Sequence, residues 1–227
     1  MLEIYATRLT FFLAFTLGFA YQGFALTIAK SDILLHIVSQ CVDPKVENYC
    51  SQCISPRLDA NCGGVSECKK STDVWAINNQ YAAIRDIKMC GCPAGFIHGL
   101  AMPRDIVSGV EDPRRQEGIW LFAWDVALER LEPQSIALVV NPPSQRSQHQ
   151  LHVHLLRLDN NARGKFAEYP HDFVQNLDQI WMTASRLASA KGLNEYGVLL
   201  ARTSSQQYIV VVTPDSPEAA FTKWSCD

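Results

Sequence analysis

No long basic run interrupts this chain of 227 residues, and its formal net charge is only −3. That balance lacks the electrostatic footprint of a nucleic-acid-binding protein, so nothing argues for nucleic acid as a partner. It does not exclude a nucleotide, which needs only a few local donors. Internal repeats are missing too, which argues against an array and for one folded unit. Charge itself is absent between Arg8 and Lys30. The interval holds the apolar run Leu9 to Ala20 and then Gly23-Phe24-Ala25, the pattern of a secretory signal with a small-residue cleavage site. Left uncut, the same interval is long enough to anchor the chain in a bilayer. Either outcome predicts export.

Cysteine, by contrast, is plentiful: Cys41, Cys50, Cys53, Cys62, Cys68, Cys90, Cys92 and Cys226. An even number in an exported chain predicts disulfides, although eight cysteines allow 105 pairings. Two other uses stay open. Cys50-x-x-Cys53 and Cys90-Gly91-Cys92 are pairs suited to a four-thiolate zinc site, and a redox Cys-x-x-Cys is the third reading. With 48% hydrophobic residues the chain can bury one sizeable core. The organisation read from these features is a signal or anchor over residues 1–25, a cysteine-rich segment over 26–72 and a folded domain over 73–227.

Within that domain the period of the apolar residues predicts the elements. Ser31 or Asp32 caps a short helix along Ile33, Leu34, Ile37 and Val38. Trp75 to Ile87 reads as a strand region and Phe96 to Pro103 as a second strand closed by its proline. Trp120, Ala123, Trp124, Ala127, Leu128 and Leu131 form one helical stripe over Gly118 to Leu131. Glu111, Asp112, Arg114 and Arg115 before it read as a solvated loop. Ile136 to Val140 is a continuous apolar run, hence a central strand. A helix from Phe173 to about Ala190, capped by Asp172, precedes a hairpin of Glu195–Arg202 and Gln207–Thr213. The sum is an α+β fold, an antiparallel sheet with packed helices.

The most informative stretch is Gln148 to Leu158. Leu151, Val153 and Leu155 alternate with Gln150, His152 and His154, the period of a strand with one buried face. A slip of one residue would bury both histidines, so the apolar side fixes the register. Same-face side chains stand roughly 6.5–7 Å apart, so a single phosphate can touch several of them. His149 is out of register and faces the other way. Just upstream lie Asn141 at a strand end and the polar segment Arg146-Ser147-Gln148. Arginine suits bidentate contact with a phosphate. His98, on the second strand, is a further candidate for the same pocket, whereas His36 and His171 read as structural.

These residues resemble the catalytic strand of the histidine-triad superfamily, in which histidines alternate with apolar residues. Gln150 stands where the first triad histidine would be, and His152 and His154 match the second and third. Within that superfamily the chain is similar to the bacterial CDP-diacylglycerol pyrophosphatase family, through the strand Ile136 to Asn141, then Arg146-Ser147-Gln148, then the histidine strand. The resemblance covers roughly Tyr81 to Leu158. It implies a histidine-triad-like fold and hydrolysis of CDP-diacylglycerol to CMP and phosphatidate at the outer face of a membrane. It further implies His152 as nucleophile and His154 as the group that orients the phosphate or assists the leaving oxygen. Gln150 would act as a hydrogen-bond partner, with Asn141, Arg146, Ser147, Gln148 and His98 binding substrate. No cofactor and no metal enter this reading, and a homodimer is left open. Two alternatives remain: a hydrolase of a soluble nucleoside-diphosphate compound, and a nucleotide- or lipid-binding module without turnover.

Overall fold

The computed structural model describes residues 30–42 and 72–226. The N-terminal apolar segment lies outside these residues, as does the cysteine-rich stretch beyond residue 42. Among the described residues, eight strands form one sheet: β1 (Val74–Ile77), β2 (Tyr81–Arg85), β3 (His98–Pro103), β4 (Ile136–Val140), β5 (Val153–Arg157), β6 (His171–Val174), β7 (Gly197–Arg202) and β8 (Tyr208–Thr213). Their order is β1-β2-β3-β5-β4-β7-β8-β6, and every pairing is antiparallel. The helices are α1 (Ile33–His36), continued by a π-helical turn to Cys41, α2 (Gly118–Leu128), α3 (Ala162–Lys165), α4 (Ile180–Ala190) and α5 (Pro217–Phe221). This is the α+β architecture predicted from the period of the sequence. None of the described helices is long and apolar enough to cross a membrane.

Alternation along the strands divides the core into two layers. On the first face, Leu138, Val153, Leu155, Leu200 and Val210 pack beneath α2 and α4, where Trp120 meets Trp181 with ring centroids 4.7 Å apart. On the second face two smaller clusters form. Leu100 and Met102 pack with Leu34 and Val38 of the α1 turn. Val139, Leu156 and Val211 pack with Phe166 and Phe221. Both faces are therefore covered, which corrects the expectation of a strand with one buried face. His152 and His154 retain only 7% and 5% exposure because the second face has its own roof.

Other boundaries also shift. Trp75 to Ile87 is a hairpin rather than one strand, turned at residues 78–80 where Asn78 Oδ1 accepts from the Gln80 and Tyr81 amides. The helix predicted from Phe173 begins only at Ile180. His171–Val174 instead adds β6 to the sheet edge beside β8, and Asp172 pairs with Arg186 rather than capping a helix. Leu128, counted in the apolar stripe of α2, is exposed, while Ile119 and Val126 are buried. The segment before α2 exposes Glu111 and Arg114 as expected of a solvated loop, but Asp112 departs from that reading. Asp112 is buried and accepts from the Ser108 and Arg114 amides and from the Arg114 guanidinium, which together hold its carboxyl well below the usual range. Arg115 lies over the Trp181 ring at 5.3 Å and donates to Ser185.

Candidate active site

Pairing registers explain why polar groups meet on the second face. His154 in β5 lies opposite Leu100 in β3 and Val139 in β4, and His98 lies opposite Leu156. His98 and His154 are thus diagonal neighbours on one face, within reach of each other's rings. His98 Nε2 stands 2.9 Å from His154 Nδ1. In β2 the second face carries Ala82 and Ile84, and the next residue on that face is Asp86. The Asp86 amide donates to the His98 carbonyl, which brings its carboxylate to 3.3 Å from His98 Nε2. In β4 the next same-face residue after Val139 is Asn141, just past the strand end. Its Nδ2 donates to Glu218 of α5 at 2.7 Å, and its Oδ1 accepts from Ser216. Glu218 Oε1 then lies 3.5 Å from His98 Nε2 and 3.7 Å from His154 Nδ1, and accepts from Lys88 Nζ at 2.9 Å.

His152 sits one residue before the start of β5. Its Nδ1 is 2.7 Å from the Gln150 carbonyl. A carbonyl only accepts, so this contact fixes the proton on Nδ1 and leaves a lone pair on Nε2. Its ring lies edge-on to that of His154, with centroids 4.8 Å apart. Burial is the first cause that lowers the basicity of His152, partly offset by the Gln150 carbonyl, Glu218 and Asp86. Burial, then His152 and His98, pushes His154 further down. His98, fully enclosed, is pulled to about 4, chiefly by burial and against the attraction of Glu218. All three rings are therefore neutral at pH 7. Asp86 moves the opposite way, raised by burial despite the amide and charge of Lys88.

Of the residues singled out in the sequence, His98, Asn141, His152 and His154 come together. Gln150 is adjacent, but its side chain is spent on backbone: Nε2 donates to the Pro103 and Asp105 carbonyls at 2.8 and 2.7 Å, and Oε1 accepts from the Val107 amide. Gln148 accepts from the Leu34 amide of α1. Arg146 is engaged by Glu111 through both terminal nitrogens, in space left open by Gly109. It is still close enough to lower the basicity of His152. Burial would raise the Glu111 carboxyl, but the Arg146 hydrogen bonds prevail and hold it below its ordinary value. Ser147 is exposed. His149 is exposed as well and pairs with Asp32. Three members of the cluster were not foreseen: Asp86, Lys88 and Glu218. Asp86 was legible as the next same-face position after Ala82 and Ile84, whereas nothing local in the sequence points to Glu218.

A family model of CDP-diacylglycerol pyrophosphatase matches residues 29–189. The chain belongs to that family. It is accordingly a hydrolase that acts on a phosphoric anhydride bond. No curated protein matches it. The matched residues include Asp86, His98, Asn141, His152 and His154; Glu218 lies beyond them.

Proposed function

We propose that this hydrolase cleaves CDP-diacylglycerol to CMP and phosphatidate through a covalent nucleotidyl-histidine on His152. The observation that carries the mechanism is the 2.7 Å contact between His152 Nδ1 and the Gln150 carbonyl, which selects the tautomer with a nucleophilic Nε2. In the first step Nε2 forms a bond to the phosphorus that bears cytidine. The bond from that phosphorus to the bridging oxygen breaks, and phosphatidate leaves with the electron pair. Water then attacks the same phosphorus, the nitrogen–phosphorus bond breaks, CMP departs and His152 is restored. Phosphatidate is a phosphate monoester and leaves without a strong acid, so a glutamine at position 150 is compatible with turnover.

Two cations stand near the histidines, each paired with a carboxylate: Lys88 with Glu218 and Arg146 with Glu111. Fixed donors that spread the developing negative charge are the main source of rate in such a displacement. Lys88 and Arg146 lie within electrostatic reach of the histidines, and His154 Nε2 is buried without a hydrogen-bond partner. At the Arg157 end of β5, away from His152, a groove of about 750 Å³ sets the apolar Phe96, Ile97 and Trp224 against Arg157 and Lys223, with Asp159 also in its lining. Its apolar lining supports the acyl part of a lipid as occupant. The charge-free N-terminal segment supports placing the enzyme, exported, at the outer face of a membrane.

The test is direct. Purified protein given CDP-diacylglycerol labelled in its cytidine should release CMP, and His152→Ala should lose that release by about a thousandfold or more while still folding. Acid-labile, base-stable label should be trapped on His152. Turnover of His152→Ala within a few-fold of the native chain, or label on another residue, would overturn the mechanism.

A further inference from the structure

We propose that Asp86, His98 and His154 form a binding site for a divalent ion of the zinc class beside the nucleophilic histidine. The three residues come from the end of β2, the start of β3 and the middle of β5, and their ligand atoms all lie within 4.8 Å of one another. Two of the separations are 2.9 Å and 3.3 Å, both measured from His98 Nε2. Donor atoms about 2.1 Å from one ion, a tetrahedral angle apart, are separated by about 3.4 Å. Two of the three separations are close to that spacing, whereas Asp86 and His154 stand farther apart, within 4.8 Å, and would draw together around an ion.

Proton accounting points the same way. Two neutral imidazoles carry one ring proton each. If His98 carries its proton on Nε2, it can donate to His154 Nδ1 or to Asp86, not fully to both. If His154 supplies the proton from Nδ1, the lone pair of His98 Nε2 faces two carboxylates, Asp86 at 3.3 Å and Glu218 at 3.5 Å. With Asp86 ionised, either arrangement turns buried acceptors toward one another, at a cost in free energy. A cation at the point where the three lone pairs converge removes that conflict.

The donor set selects the ion. Two imidazoles and one carboxylate suit zinc and its first-row neighbours far better than magnesium or calcium. No cysteine takes part, so this is not the thiolate site that the Cys-x-x-Cys spacing suggested. Lys88 and Glu218 neutralise each other at 2.9 Å, which leaves the Asp86 carboxylate to balance the ion. With Nε2 on the ion, His98 holds its proton on Nδ1, a buried nitrogen without a hydrogen-bond partner. With Nδ1 likewise engaged, His154 keeps its proton on Nε2, the nitrogen without a partner.

The experiment uses the full oxidised chain, freed of metal by a chelator and titrated with cobalt(II), then with zinc. A stoichiometric visible spectrum of low-coordinate cobalt, displaced by zinc, is expected for the native chain. His98→Gln and Asp86→Asn should each weaken binding by about tenfold or more, while His149→Gln, on the exposed side, should not. No spectrum, or one unchanged in His98→Gln and Asp86→Asn, would overturn the site. Because these variants alter buried groups, imidazole-nitrogen NMR of the native chain provides a second reading. Zinc should shift His98 Nε2 and His154 Nδ1, and unshifted signals at saturating zinc would refute the proposal. Neither measurement involves a nucleotide or a lipid, so failure here is distinct from failure of the hydrolase mechanism.

Discussion

Gln150 stands at the position of the missing triad histidine, yet its side chain faces the loop after β3. Its amide satisfies two carbonyls and one amide hydrogen. A neutral imidazole offers one donor and one acceptor, so it cannot meet all three needs. Gln150→His should therefore leave a buried carbonyl unpaired and cost about 1–3 kcal/mol, seen as a lower melting temperature, with no gain in CMP release. A gain in rate at undiminished stability would show that position 150 is a catalytic vacancy instead. The histidines set a second expectation. Folded His98 titrates at about 4, below its unfolded value of about 6.5, and His152 and His154 shift the same way. Between those two pH values the unfolded chain binds more protons than the folded one. Stability is then full above pH 6.5 and lost as pH falls toward 4. His98 alone is worth on the order of 3 kcal/mol over that window. The raised carboxyl of Asp86 opposes part of it. Denaturant melts at stepped pH should show the fall, and a flat profile would show the rings already charged in the fold.

The elements decide what was legible and what was not. Ile136 to Val140 read as a central strand because both of its faces are apolar, and it lies between β5 and β7 as that pattern requires. His171–Val174 was lost to a helix because Val174 fits the spacing of Leu177 and Ile180; pairing with β8, a tertiary interaction, overrides the local pattern. The histidine row was legible for its period, but its burial was not, since the roof over the second face comes from α1 and from α5, far apart in the chain. Seating of α5 depends on Asn141, which the resemblance suggested as a substrate contact and which the fold also uses to grip Glu218 and Ser216. Asn141→Ala removes the donor to Glu218 and should lower turnover with a modest stability loss of about 1–3 kcal/mol. Asn141→Asp sets a second carboxylate against Glu218 and should be worse at neutral pH, the gap narrowing in acid as a carboxyl protonates. Equal behaviour of the two variants at every pH would mean that Asn141 acts through shape alone and that its hydrogen bond to Glu218 carries no weight.

At the scale of the molecule the site is closed by a covalent bond between distant parts of the chain. Cys92, in the turn before β3, is bridged to Cys226, 134 residues later. Spacing could not reveal this pair, because any two of eight cysteines were admissible. The bridge holds the C-terminal tail across β3 and β5, where Lys223 donates to the Arg157 carbonyl and the Trp224 ring receives Lys88 at 5.2 Å. Lys88 in turn pairs with Glu218. Tail, cation and carboxylate thus form a chain of contacts that ends at His98 and His154. Cross-linking a loop of this length stabilises the fold chiefly by restricting the unfolded chain, typically by about 2–4 kcal/mol. Cys226→Ser should therefore lower the unfolding free energy by about that amount, and reductant should add nothing from this bridge. If the tail also holds Lys88 in place, the same variant should lose turnover at temperatures where it remains fully folded, with the lipid substrate affected more than a soluble nucleoside diphosphate. The reason is that Trp224 and Lys223 line the groove at the Arg157 end of β5, and a soluble substrate has no acyl chains to place there. Stability lost with turnover intact on both substrates would confine the disulfide to a structural role. An equal loss on both would place its effect at the histidines and remove the groove from substrate choice.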